Sequence, residues 1–372
     1  MIICAQTATL TPSTPPRRSM LRVLFLSLIF IVPMLATAAD DLPLWLVNTK
    51  LSGDFRYRHE GIDREGGSAT YRNRIRYRLA VETKVNEKVG VGARFASGLG
   101  DPRSTNQDLE DGFAAKSINL DRAYLELTPC EHWWLTAGKF GNPFVSTDLQ
   151  WDTDVNFEGG AARYKKDGDI QFAFTGGGLW LEPYKSKHGS GIIVGQVSAS
   201  GKNGSKGSWQ AAAGMYSYVN RNMLVDFGGF GNTVLEDERF RTDFEILDVI
   251  LSATMPVGKS KLTVLANPVL NTATSSDNLG WMAMAKLKGK CCGRNSSLSY
   301  DYRVLEADAV FGAFTDSDAA GGRTNQRGHR IMGDIELIDG FTAGASAYFN
   351  TLSASGEGGW YQRWMVDGVV KF

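Results

Sequence analysis

Tyr71-Arg72-Asn73-Arg74-Ile75-Arg76-Tyr77-Arg78-Leu79-Ala80-Val81-Glu82-Thr83-Lys84-Val85 is the stretch that decides the fold. Read two residues at a time, Tyr71, Ile75, Tyr77, Leu79, Val81 and Val85 share one face. Arg72, Arg74, Arg76, Arg78, Glu82 and Lys84 share the other. Successive side chains of an extended strand point to opposite faces, whereas a helix would scatter these arginines around its circumference. The stretch is a β-strand with one apolar face and one charged row. Arginines facing lipid would cost roughly 2–4 kcal/mol each near the bilayer midplane, so in a membrane barrel this row faces the lumen.

The same period of two recurs along the chain after about residue 50. Sixteen strands are expected near 51–59, 71–85, 89–98, 118–128, 133–140, 159–165, 170–178, 191–200, 208–218, 244–255, 260–267, 279–288, 296–305, 329–338, 341–351 and 362–372. Most have about the 9–11 residues of a tilted transmembrane strand. Their connections alternate between long (60–70, 99–117, 141–158, 179–190, 219–243, 268–278, 306–328, 352–361) and short segments. The short ones carry turn residues, such as Asn86-Glu87-Lys88, Lys166-Asp167-Gly168-Asp169 and Asp339-Gly340. Long loops at one end and tight turns at the other are the mark of an all-β, transmembrane, antiparallel up-and-down barrel. Proline, which cannot donate to a strand ladder, is expected only in turns and loops: Pro102, Pro129, Pro143, Pro183, Pro256 and Pro268.

The N-terminus supplies the compartment. Arg17, Arg18 and Arg22 precede an apolar run from Val23 to Leu35, then Ala36-Thr37-Ala38-Ala39. This is a secretory signal peptide over 1–38, cut after Ala38 or Ala39, with Met20 as an alternative start. The run is short for a membrane helix and holds Pro33. Residues 39–50 form a short periplasmic lead-in and 51–372 the barrel. Lys+Arg and Asp+Glu are both 40, which argues against nucleic acid as a partner. The 42 glycines suit turns and small pore-facing positions, and the 11% aromatic residues suit interfacial girdles. Trp133, Trp134, Trp209, Trp281 and Trp364 are the girdle candidates.

Metal and catalytic chemistry are weakly represented. His59, His132, His188 and His329 fall at scattered strand ends and loops, without metal-ligand spacing or a Ser/His/Asp arrangement. Asp148–Asp154 misses the calcium-loop pattern. Cys130, Cys291 and Cys292 lack zinc spacing and fall on the periplasmic rim, where a bridge from Cys130 to either of the others is open. No cofactor, no metal and no enzymatic activity are expected.

Four blocks resemble the putative porin family of proteobacterial outer membranes. They are Asp101-Pro102-Arg103-Ser104-Thr105-Asn106-Gln107, Leu120-Asp121-Arg122-Ala123-Tyr124-Leu125, Gly138-Lys139-Phe140-Gly141-Asn142-Pro143-Phe144 and Leu149-Gln150-Trp151-Asp152-Thr153-Asp154. The likeness is dense between about 70 and 165. It implies a sixteen-stranded, trimeric porin in the bacterial outer membrane, surrounded by lipid and lipopolysaccharide and passing small hydrophilic solutes. In general porins the third long loop folds inward and sets acids against basic wall residues. Here those would be Asp148, Asp152, Asp154 and Glu158 against Arg56, Arg58, Arg72, Arg74, Arg76, Arg78, Arg94 and Arg122. Ion pairs that merely stiffen barrel and loop are the competing reading. Trp364, Val366, Gly368, Val370 and Phe372 alternate to the end and resemble the strand signal read by the barrel-assembly machinery. A secreted soluble β-sandwich or adhesin, or an outer-membrane barrel enzyme, are the alternatives. The sandwich leaves the loop-length alternation unexplained.

Overall fold

A computed structural model describes residues 43–182, 189–204, 206–220 and 229–372. The signal-peptide reading, Met20, Pro183 and His188 lie outside the described residues. The chain divides into two units, Met1–Val47 and Asn48–Phe372. In the first, the described part is a four-residue helix, Leu44–Val47.

The second unit is one closed antiparallel sheet. Its strands are β1 Lys50–Arg64, β2 Thr70–Lys84, β3 Val89–Ser97, β4 Ile118–Cys130, β5 Trp133–Gly141, β6 Asn156–Lys166, β7 Ile170–Glu182 and β8 Ser190–Asn203. They continue as β9 Gly207–Val219, β10 Glu245–Val257, β11 Ser260–Asn271, β12 Leu279–Cys291, β13 Arg294–Leu305, β14 Gln326–Ile338, β15 Phe341–Thr351 and β16 Trp360–Lys371. Each pairs with the next, and β1 closes the ring on β16 over Asp54–Arg64. Closure removes the free edges that an open sheet would expose to lipid. A further two-residue strand, Gln107–Asp108, pairs with Ile75 and Arg74 where β3 has already ended.

All sixteen expected strands are present, several of them longer than the alternation suggested. β1 runs on to Arg64, so Glu60 stands in the wall and not in a loop. The outward face is apolar and exposed, as at Phe55, Tyr57, Tyr71, Tyr77 and Val91. The inward face carries the charges, an inversion of the soluble pattern.

Three prolines depart from expectation. Pro129 and Pro256 are penultimate residues of β4 and β10, where losing a donor costs little. Pro268 lies within β11, where the β10 register skips from Asp248↔Val269 to Leu251↔Ala266. Asn267 fills the gap by donating its side-chain amide to the Val249 carbonyl at 2.8 Å. Trp134 departs from the girdle, because its side chain packs against the interior cluster, with the Arg163 guanidinium 5.5 Å from its ring centre. Trp133, Trp281 and Trp364 are exposed on the outer face. Cys130, Cys291 and Cys292 are free thiols, the last two with sulfurs 4.0 Å apart where β12 ends and the turn begins.

Candidate functional site: an arginine wall and its inward loops

Strand alternation places the arginine row on one face, and register stacks it across neighbouring strands. Arg56 is opposite Arg76, Arg58 opposite Arg74, Glu60 opposite Arg72 and Asp54 opposite Arg78. Like charges opposite one another are unfavourable, and two inward acids relieve the crowding. Asp54 accepts from Arg76 at 2.8 Å and from Arg78 at 2.7 Å. Glu60, wholly buried, accepts from Arg72 at 2.5 Å, Arg363 at 2.6 Å and Arg74 at 3.5 Å. Arg72 and Arg74 also share Asp108. Arg94 is opposite Arg122, and Asp121 is the extra residue where the register between β3 and β4 shifts. Arg94 pairs with Asp121. Arg122 donates to the Asn156 amide oxygen at 2.6 Å, and Arg56 to that of Asn106, also at 2.6 Å.

Loop 142–155 runs through the interior of the ring. The backbone N–H of Val145 donates to Gln196 of β8 at 2.8 Å, and Thr147 bonds Asn267 of β11. Asp148 pairs with Arg330 of β14 and lies 3.6 Å from Arg303 of β13. Asp154 returns to Arg78 of β2 at 3.1 Å and accepts from Thr105 at 3.2 Å. Apolar anchoring explains why the loop sits inward: Phe144, Leu149, Trp151 and Val155 are buried. Trp151 meets Phe157 edge-on at 4.8 Å and stacks on Phe314 at 5.5 Å. A polar cavity of about 340 Å³ remains beside the loop, lined by Pro143, Val145, Arg163, Gln171, Gln196 and Gln210.

Asp152 forms no ion pair among the described residues; its carboxylate accepts backbone N–H groups of Asp154 at 3.0 Å and Ser317 at 2.8 Å. Burial and the neighbouring Asp316 charge push its pKa up to about 8, against those two donors. Glu158 is a correction. It belongs to β6, not to the loop, and it lies on the face opposite the buried Phe157. There it pairs with Lys139 of β5 at 2.6 Å.

Sequence reasoning missed a second inward loop, 306–325, and with it Asp316 and Asp318. Asp316 pairs with Arg303 at 2.8 Å, and Asp318 pairs with Arg58 at 3.4 Å and Arg363 at 3.0 Å. Asp316 also reaches Arg330 at 3.4 Å, so one carboxylate serves β13 and β14 and the other serves β1 and β16. Asp301 and Asp367 complete the network on the wall. The described part of loop 220–244 joins in: Phe240 and Phe244 surround Phe311, and Asn232 donates to the carbonyls of Ala307 and Val310. The detectable signal was Ala309-Val310-Phe311-Gly312-Ala313-Phe314, an apolar run within a loop too long to be a turn, followed by Asp316-Ser317-Asp318.

A closed ring of sixteen antiparallel strands with a charged interior and inward loops is the architecture of the bacterial outer-membrane porins. Residues 67–223 match the family model described as "Putative porin". Among solved structures it is similar to OprB of Pseudomonas putida at TM-score 0.63 and 12% identity, covering 87% of this chain and 94% of that one. OmpF of Salmonella typhi matches at TM-score 0.56 and 13% identity, covering 87% and 97%. A loop-deletion mutant of OmpT of Vibrio cholerae matches at TM-score 0.52 and 10% identity, covering 87% and 100%. No curated protein sequence matches. At these identities the structural likeness shows the fold.

Proposed function

We propose that this porin passes small hydrophilic solutes and ions by passive diffusion, without catalysis. Its lumen is lined by Arg56, Arg58, Arg72, Arg74, Arg76, Arg78, Arg94 and Arg122 and narrowed by loop 142–155 through Asp148, Asp152 and Asp154. The observation that carries this reading is the path of the loop: Asp148 engages Arg330 on β14 while Asp154 engages Arg78 on β2. A loop held by charge on separate arcs of the wall divides the interior into a field-bearing passage, which is how pores select by size and charge. Loop 306–325 narrows the same passage through Asp316 and Asp318.

As partners we propose outer-membrane lipid, lipopolysaccharide and two further copies in a homotrimer. The apolar alternation of β16 ending at Phe372 suits recognition by the barrel-assembly machinery. The test is conductance in a planar bilayer. Stepwise channels are expected from the wild type, with a changed ion selectivity in the Arg74→Ala/Arg76→Ala variant. Unchanged reversal potentials would leave these arginines as stiffening ion pairs only.

A further inference from the structure

The arginines of the wall are not equally neutralised. Arg58, Arg76, Arg78 and Arg363 each hold a carboxylate oxygen within 3 Å. Arg56 and Arg122 have no ion-pair partner among the described residues; each is held by a neutral amide, Asn106 or Asn156. An amide oxygen takes one N–H and orients the guanidinium but leaves its full charge and most of its five donors uncommitted. The Nε of Arg56 is buried without a hydrogen-bond partner.

Register connects the two sites. Arg56 faces Arg76, Arg78 lies two residues along on the same face, and Arg94, diagonal to Arg78, faces Arg122. The carboxylates serving this run are Asp54, Asp121 and Asp154. Asp54 is divided between Arg76 and Arg78, and Asp154 between Arg78 and Thr105. Asp121 is divided between Arg94 and Asn156. Asp318 and Asp367 also act on Arg56 but are engaged by Arg58 and Arg363, and Glu60 and Asp108 by Arg72, Arg74 and Arg363. Counted together, Arg56, Arg58, Arg72, Arg74, Arg76, Arg78, Arg94, Arg122 and Arg363 face Asp54, Glu60, Asp108, Asp121, Asp154, Asp318 and Asp367, nine bases against seven acids, which leaves two positive charges. Glu82 and Glu126 stand four residues further along β2 and β4, about 13 Å away, beyond the screening length of about 10 Å at 0.1 M salt.

We infer that Arg56 and Arg122 form an anion station on the lumen wall, so that this porin favours small inorganic and carboxylate anions over cations. The inference rests on the porin reading above. Planar carboxylates suit guanidinium donors held in a fixed orientation. A unit charge about 6 Å from a passing ion in water changes that ion's local concentration roughly threefold.

The experiment is the reversal potential of the full-length porin in a planar bilayer across a KCl gradient, repeated with potassium acetate. Chloride and acetate are both expected to outrun potassium. Arg56→Gln and Arg122→Gln should each lower the anion-to-cation permeability ratio about threefold, while Arg56→Lys keeps it within twofold of wild type. A heat-dependent shift in gel mobility verifies that each variant is folded. A conducting wild type that prefers potassium overturns the inference and leaves the pore reading intact. So does an unmoved ratio in folded, conducting glutamine variants. A folded protein that never conducts overturns the pore reading, and the station with it.

Discussion

Replacing Glu60 by glutamine isolates the most demanding electrostatic contact of the barrel. The side chain is wholly buried, and it is the carboxylate shared by Arg72, Arg74 and Arg363. Glutamine keeps the volume and one acceptor oxygen but removes the charge. The three pairs do not weigh equally. The Arg72 side chain is 30% exposed and, like Arg74, also has Asp108, so its loss is softened by water and a second partner. Arg363 is only 5% exposed and lies against Glu60 at 2.6 Å. Removing one partner of a buried pair costs about 3–5 kcal/mol because the other charge stays buried. Asp318, 3.0 Å from Arg363, retains part of the compensation, which puts the expected cost near 3 kcal/mol. For a barrel of this size that is a fall of roughly 4 °C in the thermal midpoint. The assay is the temperature at which the folded gel band converts to the unfolded one, measured for wild type and Glu60→Gln side by side. A variant with an unchanged midpoint would refute the assignment of Glu60 as the acid that holds this part of the wall.

Three further outcomes are expected. Asp152 has a folded pKa of about 8 against an ordinary value near 4, so the folded loop binds its proton more tightly than the unfolded chain. Its contribution is full below about pH 4 and is lost as pH rises towards 8. The thermal midpoint should therefore decline over that window, and Asp152→Asn should flatten the decline. Asp318→Asn removes the acid that ties loop 306–325 to Arg58 and Arg363. The loop should loosen, single-channel current should rise, and an unchanged current would count against its part in narrowing the lumen. Gly53 sits at the seam, exchanging backbone hydrogen bonds with Phe372 at 2.8 and 3.1 Å. A Cβ there would lie 2.7 Å from the Phe372 ring, so Gly53→Val should cost about 1–3 kcal/mol. The measured sign would be less folded, heat-modifiable protein in outer-membrane fractions.

Much of this protein was legible in the order of its residues. Period-two alternation is local, and a strand's two faces are fixed by pleating alone, so Tyr71–Val85 announced its charged row without any partner. Turn residues and loop lengths are equally local, and they conveyed the strand count and the two ends of the barrel. Pairing is not local. That Arg58 is neutralised by both Asp367 and Asp318 depends on closure of β1 against β16, more than 300 residues apart, and on the inward path of loop 306–325. The same limit hid Glu60, which looked like a loop residue until β1 ran on beside β2. It hid Glu158 as well, which looked like a loop residue until β6 began at Asn156 beside β5. Composition alone showed equal numbers of acids and bases. Only the tertiary structure decided which bases keep a carboxylate and which, like Arg56 and Arg122, are held by amides and left charged, because Coulomb energy depends on separations that the chain acquires when the ring closes and its loops fold in.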